Sequence, residues 1–539
     1  MREIAEAWLQ QDPDPVTAAE LKALIDAGDE KALAELFSAR LEFGTAGLRG
    51  ALGPGPMRMN RVIVAQAAAG LGNYLLERIE KPSVVIGYDA RRNSEVFAID
   101  SAEILAGLGL EVFLLPKPLP TPVLAYSIRK LGVSAGVMVT ASHNPPQDNG
   151  YKVYLGDGSQ IVPPADEEIT NQILAVGPVD KLARSKDYTT LGDEIEQSYV
   201  DEVVKLSFGV ERNIRCIYTP MHGVGFNTWN AVMRTAGFHD VQPVPEQRDP
   251  DPDFPTVAFP NPEEPGAMDL ALELAQTTDA DIVIANDPDA DRCAVGARLH
   301  GEFTMLSGDE VGALLADELL RRGIKGTYAA SIVSSTLLSR LAKEHGQPFE
   351  QTLTGFKWIG KIPGLAYGYE EALGYDVAPN ITADKDGISA SLIVLELAAE
   401  LKAQGLTLFD QLAAIYERHG VHQTGQLSFR FDDLEQIESA MNKLRNEPPK
   451  ELAGQNVTEV IDLAKGLGAL PPTDGIYLNL GESTRIIVRP SGTEPKLKCY
   501  LQHIVEIAEF AGSDIESVKK AAKAKIADLS ADLREFLGL

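Results

Sequence analysis

A serine that follows a buried strand is the first candidate for chemistry in this sequence. The segment Thr140–Lys152 reads TASHNPPQDNGYK and comes directly after the apolar run Ala135–Val139. Ser142 is therefore expected at the carboxyl end of a parallel strand, where ligands bind. Its flanks lack the G-x-S-x-G pattern of a hydrolase, and the adjacent His143 would seldom reach it as a triad base. Surrounded by donors such as Lys152, the serine suits phosphoryl transfer; a helix-capping turn is the alternative.

Three aspartates at alternate positions form a second constellation. The segment Asn286–Arg292 reads NDPDADR and also follows an apolar run. In extended chain Asp287, Asp289 and Asp291 would point the same way and converge on one hard cation, which suits Mg²⁺. A calcium loop of the EF-hand type fails, because its glycine and glutamate positions are both arginine. A solvated acidic turn without metal is the alternative.

A third segment has the side chains that hold a phosphate. Within Val488–Lys498, which reads VRPSGTEPKLK, a guanidinium, two hydroxyls and close backbone N–H groups fall together. This set would hold a phosphate dianion that does not react. A plain turn between strands is the alternative. The four residues concerned are Arg489, Ser491, Gly492 and Thr493.

One segment imitates a nucleotide-binding loop. Gly355–Lys361 reads GFKWIGK, which fits G-x-x-x-x-G-K, but Ile362 follows it and has no hydroxyl for a metal ion. Its bulky side chains would also prevent a phosphate nest. A nucleotide triphosphatase is therefore rejected, although Lys357 remains a candidate contact for a substrate phosphate.

Alternating strands and helices position these segments. Such alternation favours parallel sheets covered on both faces, and successive α/β units describe it most simply. The predicted strands are Val84–Gly87, Val112–Leu115, Ala135–Val139, Ile214–Tyr218, Asp281–Ala285 and Tyr328–Val333. The predicted helices are residues 1–40, an amphipathic run at Arg61–Glu80, Glu95–Leu108, Met268–Gln276, Asp309–Arg322 and Ile388–Ala403.

The chain after a predicted linker near Gly420–Gly425 has a different pattern, typical of a smaller α+β domain. Its predicted strands are Leu427–Phe431, Gly475–Leu480, Arg485–Val488 and Leu497–His503, and its predicted helices are Leu434–Arg445 and Ile515–Leu529.

Composition limits the possible partners. The chain has 539 residues and a net charge of −29, so its surface would repel nucleic acid and anionic membranes. A phosphate-bearing substrate would then need a local cluster of cations. The cysteines are scattered, the N-terminus is too acidic for a signal peptide, and no apolar stretch would span a membrane. A cytoplasmic protein is expected, either monomer or dimer.

These motifs together resemble the α-D-phosphohexomutase family of phosphoglucomutases and phosphomannomutases. The resemblance runs from Phe43 to about Tyr500, with the motifs in the family's order. They are FGTAGLRG at Phe43–Gly50, TASHNP, DPDADR, GYEEALG at Gly368–Gly374, and RPSGTEPK. The sequences of three segments, FGTAGLR, TGFKW and EEALGY, are similar to the phosphoglucomutase-2-like branch of the family.

The resemblance implies an α/β fold with four domains around a central active-site cleft. Three similar α/β domains with mainly parallel mixed sheets are followed by the C-terminal α+β domain. The expected boundaries are 1–206 for the phosphoserine loop, 207–306 for the metal loop, 307–422 for the sugar loop and 423–539 for the phosphate loop.

It also implies roles for the candidate residues. Ser142 carries the phosphoryl group, which shares a magnesium ion with Asp287, Asp289 and Asp291. Glu370 binds sugar hydroxyls, and the Arg489–Thr493 loop holds the distal phosphate. The matching cationic or proton-transferring positions are Arg49, His143, Lys152, Arg292 and Lys357.

The expected activity interconverts glucose 1-phosphate and glucose 6-phosphate, with glucose 1,6-bisphosphate as intermediate and activator. One departure bears on the substrate: many members have serine two residues after the sugar-binding glutamate, and here that residue is Ala372. A phosphopentomutase, a phosphomannomutase or a sugar-bisphosphate synthase with the same site is the alternative, and a non-catalytic scaffold is a remote one.

Overall fold

Two units make up the chain. The computed structural model describes residues 1–42, 47–431, 434–491, 496–509 and 514–538. The first unit is Met1–Leu306 with Gly374–Ala403, and the second is Ser307–Leu373 with Gln404–Leu539. Within the described residues, we find no helix whose length and apolar character would let it cross a membrane.

The first unit begins with helices and a mixed sheet of order β1-β5-β4-β2-β3-β6. Strand β2 pairs in parallel with β3 and β4, whereas β5 runs antiparallel to β4 and β1. The elements are α1 (Arg2–Gln11), α2 (Pro15–Ala27), α3 (Glu30–Phe37), β1 (Leu48–Ala51), α4 (Arg61–Leu76), β2 (Ser83–Tyr88), α5 (Ser94–Gly107), β3 (Glu111–Leu114), α6 (Thr121–Leu131), β4 (Ala135–Val139), β5 (Asp148–Leu155), α7 (Ala165–Ala175), β6 (Thr189–Thr190) and α8 (Glu194–Val204).

Helix α4 differs from its sequence prediction. The spacing predicts an amphipathic helix at Arg61–Glu80, but α4 is buried on nearly every face, because α5 and α7 both pack against it. Its many alanines and glycines allow this approach, since a Cβ on Gly70 would lie 2.4 Å from Ile173 Cγ1. The N-terminal helices share the same core through side chains such as Trp8 and Leu21.

A second mixed sheet, of order β11-β10-β9-β7-β8, completes the first unit's strand–helix pattern. Strand β7 is parallel to β8 and β9, and β10 runs antiparallel to β9 and β11. The elements are β7 (Cys216–Thr219), α9 (Gly225–Thr235), β8 (Val241–Pro243), α10 (Asp269–Thr277), β9 (Ile282–Ala285), β10 (Ala294–Leu299) and β11 (Glu302–Met305).

The second unit begins with another parallel arrangement, in which β12 pairs with both β13 and β14. Its elements are α11 (Gly308–Arg321), β12 (Thr327–Ser331), α12 (Leu337–Glu344), β13 (Phe349–Thr352), α13 (Phe356–Ile359) and β14 (Leu365–Glu370). The chain then returns to the first unit with β15 (Gly374–Asp376) and α14 (Gly387–Ala403), and α14 packs on α9.

The C-terminal part of the second unit is an antiparallel sheet of order β16-β22-β21-β20-β19 with helices against it. This is the predicted α+β pattern. The elements are α15 (Leu408–His419), β16 (Val421–Arg430), α16 (Leu434–Asn446), β17 (Glu451–Leu452), β18 (Gln455–Asn456), β19 (Glu459–Asp462), β20 (Ile476–Leu480), β21 (Thr484–Pro490), β22 (Lys496–Val505) and α17 (Ile515–Leu537).

The predicted linker near Gly420–Gly425 is wrong. Strand β16 begins at Val421 and pairs with β22 along its whole length. Gly425 is required there for packing, because a Cβ at this position would lie 2.4 Å from Ile526 Cγ2 on α17. The glycine therefore marks a close helix contact within a strand and not a flexible connection.

Buried Arg485 on β21 ties the C-terminal sheet to the loop after β12. Its guanidinium donates to the carbonyls of Ile332, at 3.2 Å, and Ser334, and to Gln502 Oε1 at 3.1 Å. Substitution with alanine would leave the Ile332 and Ser334 carbonyls without this donor, at about 1–3 kcal/mol each, whereas Gln502 Oε1 keeps the Thr336 N–H at 2.9 Å. We expect Arg485→Ala to lower the second unit's free energy of unfolding by roughly 3 kcal/mol in urea titrations.

Exposed Lys450 supplies the control for that substitution. Lys450→Ala should leave the urea midpoint unchanged, since a surface side chain contributes little. If Arg485→Ala and Lys450→Ala have the same free energy of unfolding, the guanidinium contacts do not stabilise the packing of the C-terminal sheet on the loop after β12.

Candidate active site

Ser142 lies in the serine loop, residues 140–147, between β4 and β5. Its φ is 51°, and its N–H donates to Thr140 Oγ1 at 2.9 Å. The Thr140 hydroxyl donates in turn to Asp89 Oδ2 at 2.6 Å. Asp89 is the first residue after β2. Because the loop joins two strands, the helix-capping alternative is wrong. The backbone of Ser142 is fixed from the neighbouring strand.

The Ser142 hydroxyl contacts the metal loop, residues 286–292. Ser142 Oγ donates to Asp287 Oδ2 at 2.6 Å and lies 3.1 Å from His143 Nδ1. His143 therefore reaches its neighbour, which the adjacency of the two residues made unlikely from sequence. A nucleophilic oxygen, an imidazole and a carboxylate meet here.

The three aspartates converge in a turn. Their carboxylate oxygens lie within 4.8 Å of one another and all three side chains are buried. Alternation along an extended strand does not explain this, because Ala290 has a φ of 58° and its N–H donates to the Asp287 carbonyl at 2.8 Å. Gly223 permits the turn, since a Cβ there would lie 2.2 Å from Pro288 Cα.

The aspartate cluster fits a hard divalent cation. Asp289 Oδ1 and Asp291 Oδ1 are buried and have no hydrogen-bond partner among the described residues. Burial and the two neighbouring carboxylates raise the pKa of Asp287 well above its ordinary value. A bound Mg²⁺ would take the unpaired oxygens and relieve this repulsion, leaving coordination positions for a phosphoryl oxygen.

Cationic side chains surround the carboxylates, as the acidic chain requires for an anionic substrate. Lys152 Nζ, on β5, lies 2.7 Å from Asp289 Oδ2 and 2.9 Å from Asp291 Oδ2. Burial would lower the pKa of Lys152, but these carboxylates outweigh it and raise the pKa. Lys152 is therefore better suited to stabilise charge or donate a proton than to act as a base.

Further arginine and lysine side chains complete the cluster. Lys385 Nζ lies 3.4 Å from Asp291 Oδ2, and Arg292 Nε lies 4.0 Å from both Asp287 Oδ2 and Asp291 Oδ1. Arg49 donates to Asn144 Oδ1, at 3.0 Å, on the serine loop. The structure thus brings Arg49, Ser142, His143, Lys152, the aspartates and Arg292 together in the first unit.

The second unit holds Glu370, predicted to bind the sugar, and Lys357, predicted to contact a substrate phosphate. Glu370 ends β14, and its Oε1 accepts the N–H of Gly355 at 2.7 Å. Lys357 follows on α13, largely buried, with its Nζ 5.8 Å from the centre of the Trp358 ring. The segment that imitates a nucleotide-binding loop therefore contains the short helix α13, and the segment's first residue, Gly355, donates to Glu370.

Arg489 lies near the end of β21, with Ser491 just beyond it, and the Ser491 N–H donates to the Lys496 carbonyl at 2.8 Å. Burial and the Glu371 carboxylate raise the pKa of Tyr500, while a hydrogen bond with Arg489 opposes them. Gly492 and Thr493, like the start of the first motif at residues 43–46, lie outside the described residues.

Residues without a sequence prediction also belong to the site. Thr121 donates to Asp289 Oδ2 at 2.8 Å, and Arg91 bonds the backbone of the serine loop. Arg91 could have been found, because Asp89 and Arg91 come just after a buried strand, as Ser142 does. Nothing in the local pattern singled out Lys385, which arrives from a distant part of the chain.

Comparison with protein families gives matches along most of the chain. Residues 40–178, 197–299 and 307–419 match the family models described as phosphoglucomutase/phosphomannomutase alpha/beta/alpha domains I, II and III. These stretches correspond to the three strand–helix units read from the sequence.

Similar proteins carry several substrate names. A probable phosphomannomutase of Haemophilus influenzae is 49% identical, covering 83% of this chain and 93% of that protein. The phosphopentomutase of Homo sapiens is 37% identical, covering 95% of this chain and 92% of that protein. The crystal structure of a putative phosphomannomutase from Thermus thermophilus superposes with a TM-score of 0.71 at 27% identity, covering 93% of this chain and all of that one.

Proposed function

Because the chain belongs to the phosphoglucomutase/phosphomannomutase family, we propose that it moves a phosphoryl group between two positions of a sugar through phosphorylated Ser142. Family members are intramolecular phosphotransferases, so the chain is an enzyme of the isomerase class. The observation that carries the proposal is the 2.6 Å hydrogen bond from Ser142 Oγ to Asp287 within the buried aspartate cluster.

The first-unit residues perform the transfer. As the phosphoryl group leaves Ser142 Oγ for a sugar hydroxyl, His143 is placed to exchange the proton with the reacting oxygens. Lys152, Lys385 and Arg292 stabilise the negative charge on the moving group. Mg²⁺ held by Asp287, Asp289 and Asp291 would supply further neutralisation of the phosphoryl oxygens. The sugar bisphosphate formed returns its other phosphate to Ser142.

For the second unit, the proposed roles are those that the resemblance to the family implies. Glu370 is the proposed acceptor for sugar hydroxyls, and Lys357 a proposed phosphate contact. Glu371 is engaged elsewhere, since its Oε2 accepts the hydroxyls of Ser331 and Ser334 at 3.2 Å. The proposed distal phosphate site is the loop of Arg489, Ser491, Gly492 and Thr493.

Glucose phosphate, with glucose 1,6-bisphosphate as intermediate, is the first proposed substrate, as the sequence motifs predicted. A pentose phosphate is the second candidate. Two observations favour the pentose: Ala372 lacks the serine hydroxyl of many family members, and a relative over 95% of the chain is a phosphopentomutase. A smaller sugar would need fewer hydroxyl contacts.

Competition in one tube distinguishes these sugars. Equal glucose 1-phosphate, mannose 1-phosphate and ribose 1-phosphate, with Mg²⁺ and trace glucose 1,6-bisphosphate, would be followed by phosphorus NMR. We expect glucose 6-phosphate to appear first. Earlier conversion of ribose would make the enzyme a pentomutase, and earlier conversion of mannose a phosphomannomutase. No conversion of any sugar would contradict the mutase proposal.

A further inference from the structure

We propose that Arg91 is a positioning residue that holds the serine loop in the conformation needed for phosphoryl transfer. The inference deepens the proposed function and depends on phosphorylation of Ser142. Among the described residues, Arg91 makes no hydrogen bond to the aspartate cluster or to the Ser142 hydroxyl, and its side chain is only 1% exposed. Its effect on chemistry would pass through the backbone of the loop.

The guanidinium of Arg91 donates hydrogen bonds to backbone carbonyls of the serine loop and of Asp148, the residue that follows it. Nη2 donates to the carbonyls of Ser142 and Asn144, both at 2.6 Å. Nη1 donates to the carbonyls of Pro145, at 2.8 Å, and Asp148, at 3.2 Å. Each terminal nitrogen has two N–H groups, so every one of them is used. The planar fork thus sets the relative orientation of these peptide groups.

Without this cation the loop would not keep its shape. The carbonyl dipoles of Ser142, Asn144, Pro145 and Asp148 point inward at one place and would repel one another. Outward rotation of the Ser142 carbonyl would turn the Ser142–His143 peptide and shift the loop backbone, which holds Ser142 at a left-handed φ of 51° with its hydroxyl bonded to Asp287. Lysine is a poor substitute, because its donors leave one atom and cannot span the loop.

Arg91 is itself held from both sides. Asp89 accepts the Arg91 N–H at 2.9 Å, and its Oδ2 lies 3.5 Å from Arg91 Nε. The ring of Phe254 lies under the guanidinium, with its centre 4.8 Å away. The same Asp89 carboxylate accepts the hydroxyls of Ser94 and Thr140, each at 2.6 Å. Asp89, just after β2, therefore holds both Arg91 and Thr140 of the serine loop in place.

The consequence concerns the competition between sugar and water. In hydrolysis, a water oxygen attacks phosphorus, the bond to Ser142 Oγ breaks, and serine and inorganic phosphate are released. A loop held by Arg91 presents the phosphoryl group to the bound sugar, whereas a loosened loop exposes it to solvent. Arg91 should therefore raise the ratio of transfer to hydrolysis.

The test uses full-length enzyme with labelled phosphate on Ser142. Arg91→Ala should slow transfer to sugar phosphate by roughly 30- to 100-fold, as small misplacements of reacting groups do. In the same variant, the fraction of the label released as inorganic phosphate should rise about tenfold, because the misplaced phosphoryl group is open to water. Millimolar guanidinium, which fits the vacated space, should restore most of the transfer rate and the ratio. Arg91→Lys should lie between the two.

The neighbouring Arg92 is the matched control. It is 57% exposed and pairs with Asp253 at the surface. Arg92→Ala should leave the ratio of transfer to hydrolysis unchanged and should not respond to guanidinium.

The ratio separates positioning from simple stabilisation. If folded Arg91→Ala keeps the wild-type ratio, or guanidinium does not restore transfer, Arg91 is only structural and the proposal fails. Should Arg91→Ala not fold, a wild-type ratio in Arg91→Lys overturns the proposal equally. Absence of label on wild-type Ser142 would instead refute the proposed function itself.

Discussion

Ser142→Ala should lower kcat by at least about 10⁴-fold, because the proposed cycle has no other acceptor for the phosphoryl group. The loss should be in kcat rather than KM, since Ser142 is only 3% exposed and its hydroxyl contacts His143 and Asp287. Initial rates with glucose 1-phosphate and ribose 1-phosphate, coupled to detection of the isomerised product, would measure the change.

Transfer of labelled phosphate supplies an independent readout for this variant. Wild-type protein incubated with labelled sugar bisphosphate should retain about one label per chain on Ser142, and Ser142→Ala should retain none. Ser530→Ala is a suitable control, because Ser530 lies in the second unit on α17 and its hydroxyl donates to the Ile526 carbonyl of the same helix. Turnover of Ser142→Ala at the Ser530→Ala rate would exclude the phosphoserine mechanism.

The chemistry of the site could be read from the sequence because its motifs follow buried strands. Thr140, Asn286 and Asp89 each come directly after an apolar run that forms a sheet strand. Parallel strands place such ends at one edge of a sheet, so local pattern and residue type suffice to indicate a site. The same patterns predicted the α/β fold and the α+β character of its C-terminal part.

What the sequence could not give depends on contacts between distant segments. The left-handed turn at Ala290 is supported by the approach of Gly223, and Gly425 lies in a strand because α17 packs on it. Lys385 reaches Asp291 only because residues 374–403 return to the first unit. Local periodicity does not contain such information, which is why it predicts an amphipathic helix where the buried α4 lies. The domain boundaries and the central cleft remain predictions.

Asp291→Asn should weaken Mg²⁺ binding by at least about 100-fold. It removes one negative charge from a site where carboxylates and lysine side chains nearly neutralise one another. Asp291 Oδ2 lies 2.9 Å from Lys152 Nζ and 3.4 Å from Lys385 Nζ, and these cations remain after the substitution. The unpaired Oδ1, a proposed ligand, would also become part of a neutral amide. Excess positive charge and a weaker ligand both oppose a divalent cation.

Isothermal titration of metal-free protein with Mg²⁺ measures this affinity without any need for turnover. Asp279→Asn is the matched control: its carboxylate is 93% exposed, and its φ of 51° is one that asparagine tolerates. It should bind Mg²⁺ as the wild type does. At saturating substrate, kcat of Asp291→Asn should fall roughly 10²- to 10³-fold and recover partly at high Mg²⁺, since the oxygen ligands that remain can still hold the ion. Equal Mg²⁺ affinity in the two variants would place the metal away from Asp291, and the aspartate cluster would then serve to hold Lys152 and Lys385 in position.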